Sequence, residues 1–196
     1  TIAWLPKGAL ARLRFGGVNY ACRVFLNGIE LGGHEGGYTE FTLDATAPLR
    51  AGENLLAVCV DNRATSTRWP PCLGYFNYGG IHREVALEIM DGPTLDEVSV
   101  VAEPDAEGGT LQVSGRVLMA EPNLRLRISC AGHATELPVG EDGSFACSMR
   151  VPEVKPWSPS SPNLYPLQLT VSKGDTCLDS ARMDCGFRKI QVVDGR

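Results

Sequence analysis

Apolar residues recur at every second position through nearly the whole chain, and that spacing leaves little room for anything but β-structure. The first half carries "ARLRF" at 11–15, "YACRVFL" at 20–26, "YTEFTL" at 38–43 and "LLAVCV" at 55–60. Successive side chains of a strand point to opposite faces, so such runs are apolar on one side and wet on the other. Turn signals separate them, at Asn27-Gly28, Gly32-Gly33, Gly36-Gly37 and Ala51-Gly52. "VFLNGIEL" reads as a tight hairpin, with Asn27-Gly28 supplying the two positive φ angles of a type I′ turn. "LLAVCV" is apolar on both faces and is expected to be a central, fully covered strand. Thr46-Ala47-Pro48-Leu49 has room for one helical turn.

The stretch "YFNYGGIHREVALEI", residues 75–89, sets aromatic and amide side chains and two glycines directly before a strand. Alternation places Ile81, Arg83, Val85, Leu87 and Ile89 on one face and His82, Glu84, Ala86 and Glu88 on the other. Arg83 is thus expected on the apolar side, where a lone charge is costly, with Asp61 and Asp44 as candidate partners. A boundary follows at Asp91-Gly92-Pro93, dividing the chain into 1–92 and 93–196. Beyond it, alternating pairs and triplets from Val98/Val100 to Leu167/Leu169/Val171 make about seven short strands, the spacing of an immunoglobulin-like sandwich.

Composition narrows the function. With net charge −5 and no basic block, nucleic acid and anionic membranes are poor partners. No apolar run approaches the roughly 20 residues of a membrane-spanning helix. The seven cysteines are odd in number and lack a C-x-x-C pair, so neither a disulfide framework nor zinc is indicated. Cys22, Cys59, Cys130 and Cys147 lie inside apolar strand patterns and are expected to be buried thiols, which favours a reducing, cytoplasmic setting. No nucleotide or hydrolase fingerprint appears, and His34, His82 and His133 lack metal-ligand spacing. His34, in "GGHEGGYT", is expected to be a loop hydrogen-bonding residue. The residues alone describe two β-sandwiches with no catalytic group, metal or cofactor.

The segment "LRFGGVNYACRVFLNGIELGGHEGGYTEFTLDATAPLRAGENLLAVCVDNR", followed by "FNYGGIHREVALE", resembles the sugar-binding domain of glycoside hydrolase family 2. "KPWSPSSPNLYPLQLTV" and "DCGFRKIQV" resemble the close of that family's immunoglobulin-like domain. The resemblance implies an all-β chain: a galactose-binding-like jelly roll, truncated at its N-terminal side, and then an immunoglobulin-like sandwich. It also implies that catalysis belongs to two glutamates of a (β/α)₈ barrel, roughly 5 Å apart in a retaining enzyme. This sequence contains no Asn-Glu pair of the family's kind. The resemblance therefore makes the chain the non-catalytic part of a β-glucuronidase or β-galactosidase, inactive alone and partnered by the barrel of its own polypeptide and that enzyme's carbohydrate substrate.

Within that resemblance, Tyr75, Phe76, Asn77 and Tyr78 are the residues expected to meet sugar or the barrel, through stacking faces and an amide. Gly79 and Gly80 would let the backbone turn, while Arg83 and Asp61 would be structural. Where related β-glucuronidases have a sugar-binding Asp, this sequence has Gly74, which weakens a claim to glucuronide specificity. Two other classes remain: a free-standing carbohydrate-binding module and a structural adhesion sandwich. A homo-oligomer is a further expectation, through residues 1–15 or the face of Cys22, Val24 and Leu26.

Overall fold

A computed structural model describes residues 1–63, 65 and 78–190. The chain falls into two compact units, Thr1–Asp91 and Gly92–Arg196. Both are antiparallel β-sandwiches, and no helix occurs among the described residues.

In the first unit the strands are β1 (Leu10–Phe15), β2 (Val18–Asn19), β3 (Ala21–Leu26), β4 (Ile29–Glu35), β5 (Phe41–Asp44), β6 (Leu56–Asp61), β7 (Gly80–Ile81) and β8 (Val85–Met90). They form sheets ordered β5-β1-β8, β4-β3-β6 and β2-β7. Alternation sets the core: Ala11, Leu13 and Phe15 of β1 meet Cys22, Val24 and Leu26 of β3, all buried. Phe15 stacks on Phe41 at 4.9 Å. On the other face of β1, Glu88 binds Arg12 at 2.6 Å and Arg14 at 2.8 Å, and Arg14 also reaches Glu40 at 3.1 Å. Burial pushes the Glu88 carboxyl up, but the two arginines outweigh it and hold the group below its ordinary range.

The Asn27-Gly28 hairpin forms as expected, with φ of 52° and 84° and Leu26 paired with Ile29. Leu49 N donates to Ala45 O at 3.1 Å, closing the single turn at 46–49. The expectations of a central, fully covered strand, of a buried Cys59 and of an open Cys22, Val24 and Leu26 face fail. β6 lies at a sheet edge, not the centre, with Leu55 71% and Leu56 40% exposed. A run apolar on both faces can also be an edge with one face uncovered, and Cys59 is accordingly exposed. The face of Cys22, Val24 and Leu26 is no open surface, because the opposing sheet covers it. The start of the chain folds back, Ile2 exchanging backbone bonds with Gly52 at 2.8 and 2.7 Å.

The second unit contains β9 (Thr94–Asp105), β10 (Gly108–Leu118), β11 (Arg125–Cys130), β12 (His133–Pro138), β13 (Ser144–Pro152), β14 (Tyr165–Lys173) and β15 (Thr176–Cys185). Their orders are β13-β10-β9 and β12-β11-β14-β15. Leu111, Val113 and Val151 from one sheet and Leu126, Ile128, Leu167 and Leu169 from the other are at most 1% exposed. Phe187 is fully buried, meeting Tyr165 edge-on at 5.8 Å. Gly109 makes room for it, since a Cβ there would lie 2.4 Å from the ring.

Candidate functional site

Three turns of the first unit converge around the end of the "FNYGG" segment. β2 and β7 pair through Val18 with Ile81 and Asn19 with Gly80. Asn19 is buried, and its Nδ2 donates to the Tyr78 carbonyl at 2.6 Å. The backbone of Tyr78 is therefore tied down while its side chain stays 79% exposed. Gly80 has φ of +130°, a conformation side chains disfavour, and a Cβ on Gly79 would stand 2.6 Å from Asn62 Cγ.

The second turn is Gly36-Gly37-Tyr38. A Cβ on Gly37 would come within 2.3 Å of Asn19 Oδ1, so only glycine lets these turns touch. His82 Nε2 lies 2.5 Å from the Gly37 carbonyl, and its ring meets Tyr38 at 5.5 Å. The Arg83 guanidinium donates to the carbonyls of Tyr38 at 2.9 Å and Gly16 at 3.2 Å, and Gly16 N donates to Glu84 O at 2.9 Å. The expected pairing of Arg83 with Asp61 or Asp44 on a buried face is overturned. The predicted strand breaks at residues 82–84, so alternation no longer fixes where Arg83 points, and it is exposed. Asp61 binds Arg63 at 2.8 Å. Asp44 accepts hydrogen bonds from Thr46, side chain and backbone, which hold its carboxyl below the usual range.

Of the residues predicted from sequence, Tyr78, Gly79, Gly80 and Arg83 belong to this cluster, while Tyr75, Phe76 and Asn77 lie outside the described residues. Asn19, Tyr38 and His82 were not anticipated. The Gly36-Gly37 doublet was their only signal, for a close approach needs glycine on one side. His34 bonds Thr39 Oγ1 at 2.8 Å and stacks on Phe41 at 4.3 Å, as a loop residue would. No group of three His, Cys, Asp or Glu among the described residues is placed to hold a metal. The arrangement is a rigid platform presenting the exposed rings of Tyr78 and Tyr38, 46% exposed, beside an imidazole and a guanidinium. Such a surface suits stacking and hydrogen bonding to a polyhydroxylated ligand or a protein face.

Comparison with known proteins agrees with this picture. The family model described as "Glycosyl hydrolases family 2, sugar binding domain" matches residues 3–90, and "Glycosyl hydrolases family 2" matches 88–188. A putative β-glucuronidase of Formosa agariphila is 28% identical over 98% of this chain and 24% of its own length. The β-galactosidase large subunit of Latilactobacillus sakei is 32% identical over 93% of this chain and 30% of its own. Among solved structures, a Bacteroides uniformis β-glucuronidase superposes with TM-score 0.77 at 26% identity, covering 93% of this chain and 25% of that one. A putative β-galactosidase of Bacteroides fragilis gives 0.81 at 21% identity over 97% of this chain and 32% of its own, a likeness of fold. The chain thus spans 24–32% of these relatives' length.

Proposed function

The chain belongs to glycosyl hydrolase family 2, and from that premise we propose that it is the non-catalytic part of a retaining β-glycosidase of β-glucuronidase or β-galactosidase type. It supports the catalytic barrel and lends the substrate site one wall. The observation that carries this reading is the adjacency of two family-2 domain matches in a chain spanning only 24–30% of its relatives. A (β/α)₈ barrel needs about 250 residues of alternating strand and helix, and the described residues are strands and turns throughout.

In this reading Tyr75, Phe76, Asn77 and Tyr78 keep the sugar- or barrel-facing role that the family resemblance implies, and Tyr38 and His82 stand beside Tyr78. Asn19 ties down the loop's C-terminal end at the Tyr78 carbonyl, and Arg83 ties down the neighbouring Tyr38 turn. The 196-residue chain is then silent on chromogenic β-glucuronides and β-galactosides, and turnover that co-purifies with it would overturn the proposal. Its affinity for simple sugars is millimolar or weaker, since one open platform buries little of a monosaccharide. A micromolar constant by calorimetry would instead identify a free-standing carbohydrate-binding module.

A further inference from the structure

The outer face of the β12-β11-β14-β15 sheet carries a second polar cleft, far in sequence from the platform of the first unit. Its volume is about 380 Å³, and Arg127, Ser129, His133, Gln168 and Arg182 line it. Register explains the grouping. Ser129 of β11 pairs with Gln168 of β14, which pairs with Arg182 of β15, so three polar side chains form one row across the sheet. Arg127 stands one row along, on the same face as Ser129 and opposite Thr170. Two strand spacings and two residues separate the arginines, roughly 12 Å between Cα atoms. Guanidinium groups on stems this long can close from both sides on a small anion above Ser129 and Gln168.

Glu136 of β12 stands in register opposite Arg127, but its carboxylate is taken by the neighbouring arginine. Arg125, on the same face, is bound to Glu136 at 2.5 Å, and Arg150 elsewhere is bound to Asp105. Arg127 and Arg182 have no carboxylate within ion-pair distance among the described residues. Asp184, the next outward residue of β15, lies at the rim of another cleft and pairs in register with Pro166. Two exposed guanidinium forks are thus left over a floor of hydroxyl and amide, in a chain whose net charge is −5. Arginine forks match carboxylate geometry, and hydroxyl and amide groups match sugar hydroxyls.

We propose that this cleft binds the carboxylate of an acidic saccharide, with Arg127 and Arg182 gripping the carboxylate and Ser129 and Gln168 the ring hydroxyls. The saccharide part rests on the glycosidase reading, whereas the anion part rests on the two arginines alone. The test is titration of the 196-residue chain with methyl β-glucuronide, methyl β-glucoside and sodium sulfate, followed by amide shifts at Ser129 and Gln168. The glucuronide should bind in the millimolar range and perturb both amides, and its affinity should weaken as ionic strength rises. The R127Q/R182Q double variant should lose about tenfold, and R127K/R182K should retain an intermediate affinity. Equal binding of glucuronide and glucoside would overturn the proposal, as would sulfate binding without glucuronide binding, or an R127Q/R182Q variant that folds and binds like the parent. None of these outcomes bears on catalytic silence, which is read by a separate assay.

Discussion

Among the described residues, seventeen side chains are buried in the core cluster of the second unit, between sheets of three and four strands, and nine in that of the first, among sheets of three, three and two. The first unit has 78 described residues and the second 99, yet the buried share is also smaller in the first, so the gap reflects how completely the sheets cover one another. The second unit places large residues from both sheets at or below 1% exposure. In the first, Leu87 and Ile89 share the core-facing side of β1 and still stand 38% and 37% exposed. Fully burying one large apolar side chain is worth about 1.5–3 kcal/mol. Eight fewer such residues therefore make the first unit the weaker one, and it offsets part of the deficit with the Arg12–Glu88–Arg14–Glu40 network. The unit bearing the candidate site is the one less able to stand alone.

Heating should accordingly resolve two calorimetric transitions, the first unit melting earlier, and substitutions can break or sharpen that order. Phe187→Ala should cost about 3–5 kcal/mol and lower only the later transition; a shift of both would mean the units unfold as one. Glu88→Gln should cost about 2 kcal/mol, because two guanidinium groups lose their common acceptor, and it should move only the earlier transition. The same carboxyl predicts a pH dependence. Its folded value is depressed, so its stabilisation is present above the unfolded carboxylate range near pH 4.3 and is lost as pH falls through the lower folded value. The earlier melting temperature should drop across that acidic window in the parent and less in Glu88→Gln; equal drops would remove Glu88 as a cause.

Arg83→Ala should cost about 1 kcal/mol, the scale of hydrogen bonds to two carbonyls, and raise amide exchange at Gly16 and Tyr38. A loss of several kcal/mol would point to the buried ion pair that alternation suggested. Leu87→Thr should cost no more than about 1 kcal/mol, because the side chain is already 38% exposed. A larger loss would show that something covers β8 in solution, and sedimentation would reveal whether that is a second copy.

Much of this architecture was legible because strand period and turn chemistry are local. Leu111 and Val113, or Leu167 and Leu169, announce their inward face two residues at a time, and Asn27-Gly28 fixes its hairpin by φ alone. Legibility ended where the chain leaves the ladder. Residues 82–84 break the strand, and no alternation could place Arg83 against two carbonyls from distant turns. "LLAVCV" failed for a related reason, since coverage depends on which neighbours a strand finds and not on its own pattern. The platform of Asn19, Tyr38 and His82 is assembled from three separate turns. Only its glycines carried a trace in the sequence.

Cys130 and Cys185 lie with sulfurs 3.8 Å apart in the core of the second unit. They belong to β11 and β15, with β14 between them. Cys130 pairs through Leu167 with Met183, so two strand spacings and two residues along the ladder separate the two cysteines, beyond the reach of a disulfide without backbone movement. Mild oxidants should therefore spare the pair while the fold is closed and bridge it only in molecules that have opened. Its rate of oxidation becomes a built-in clock for the opening of that sandwich, readable by mass as the loss of two hydrogens.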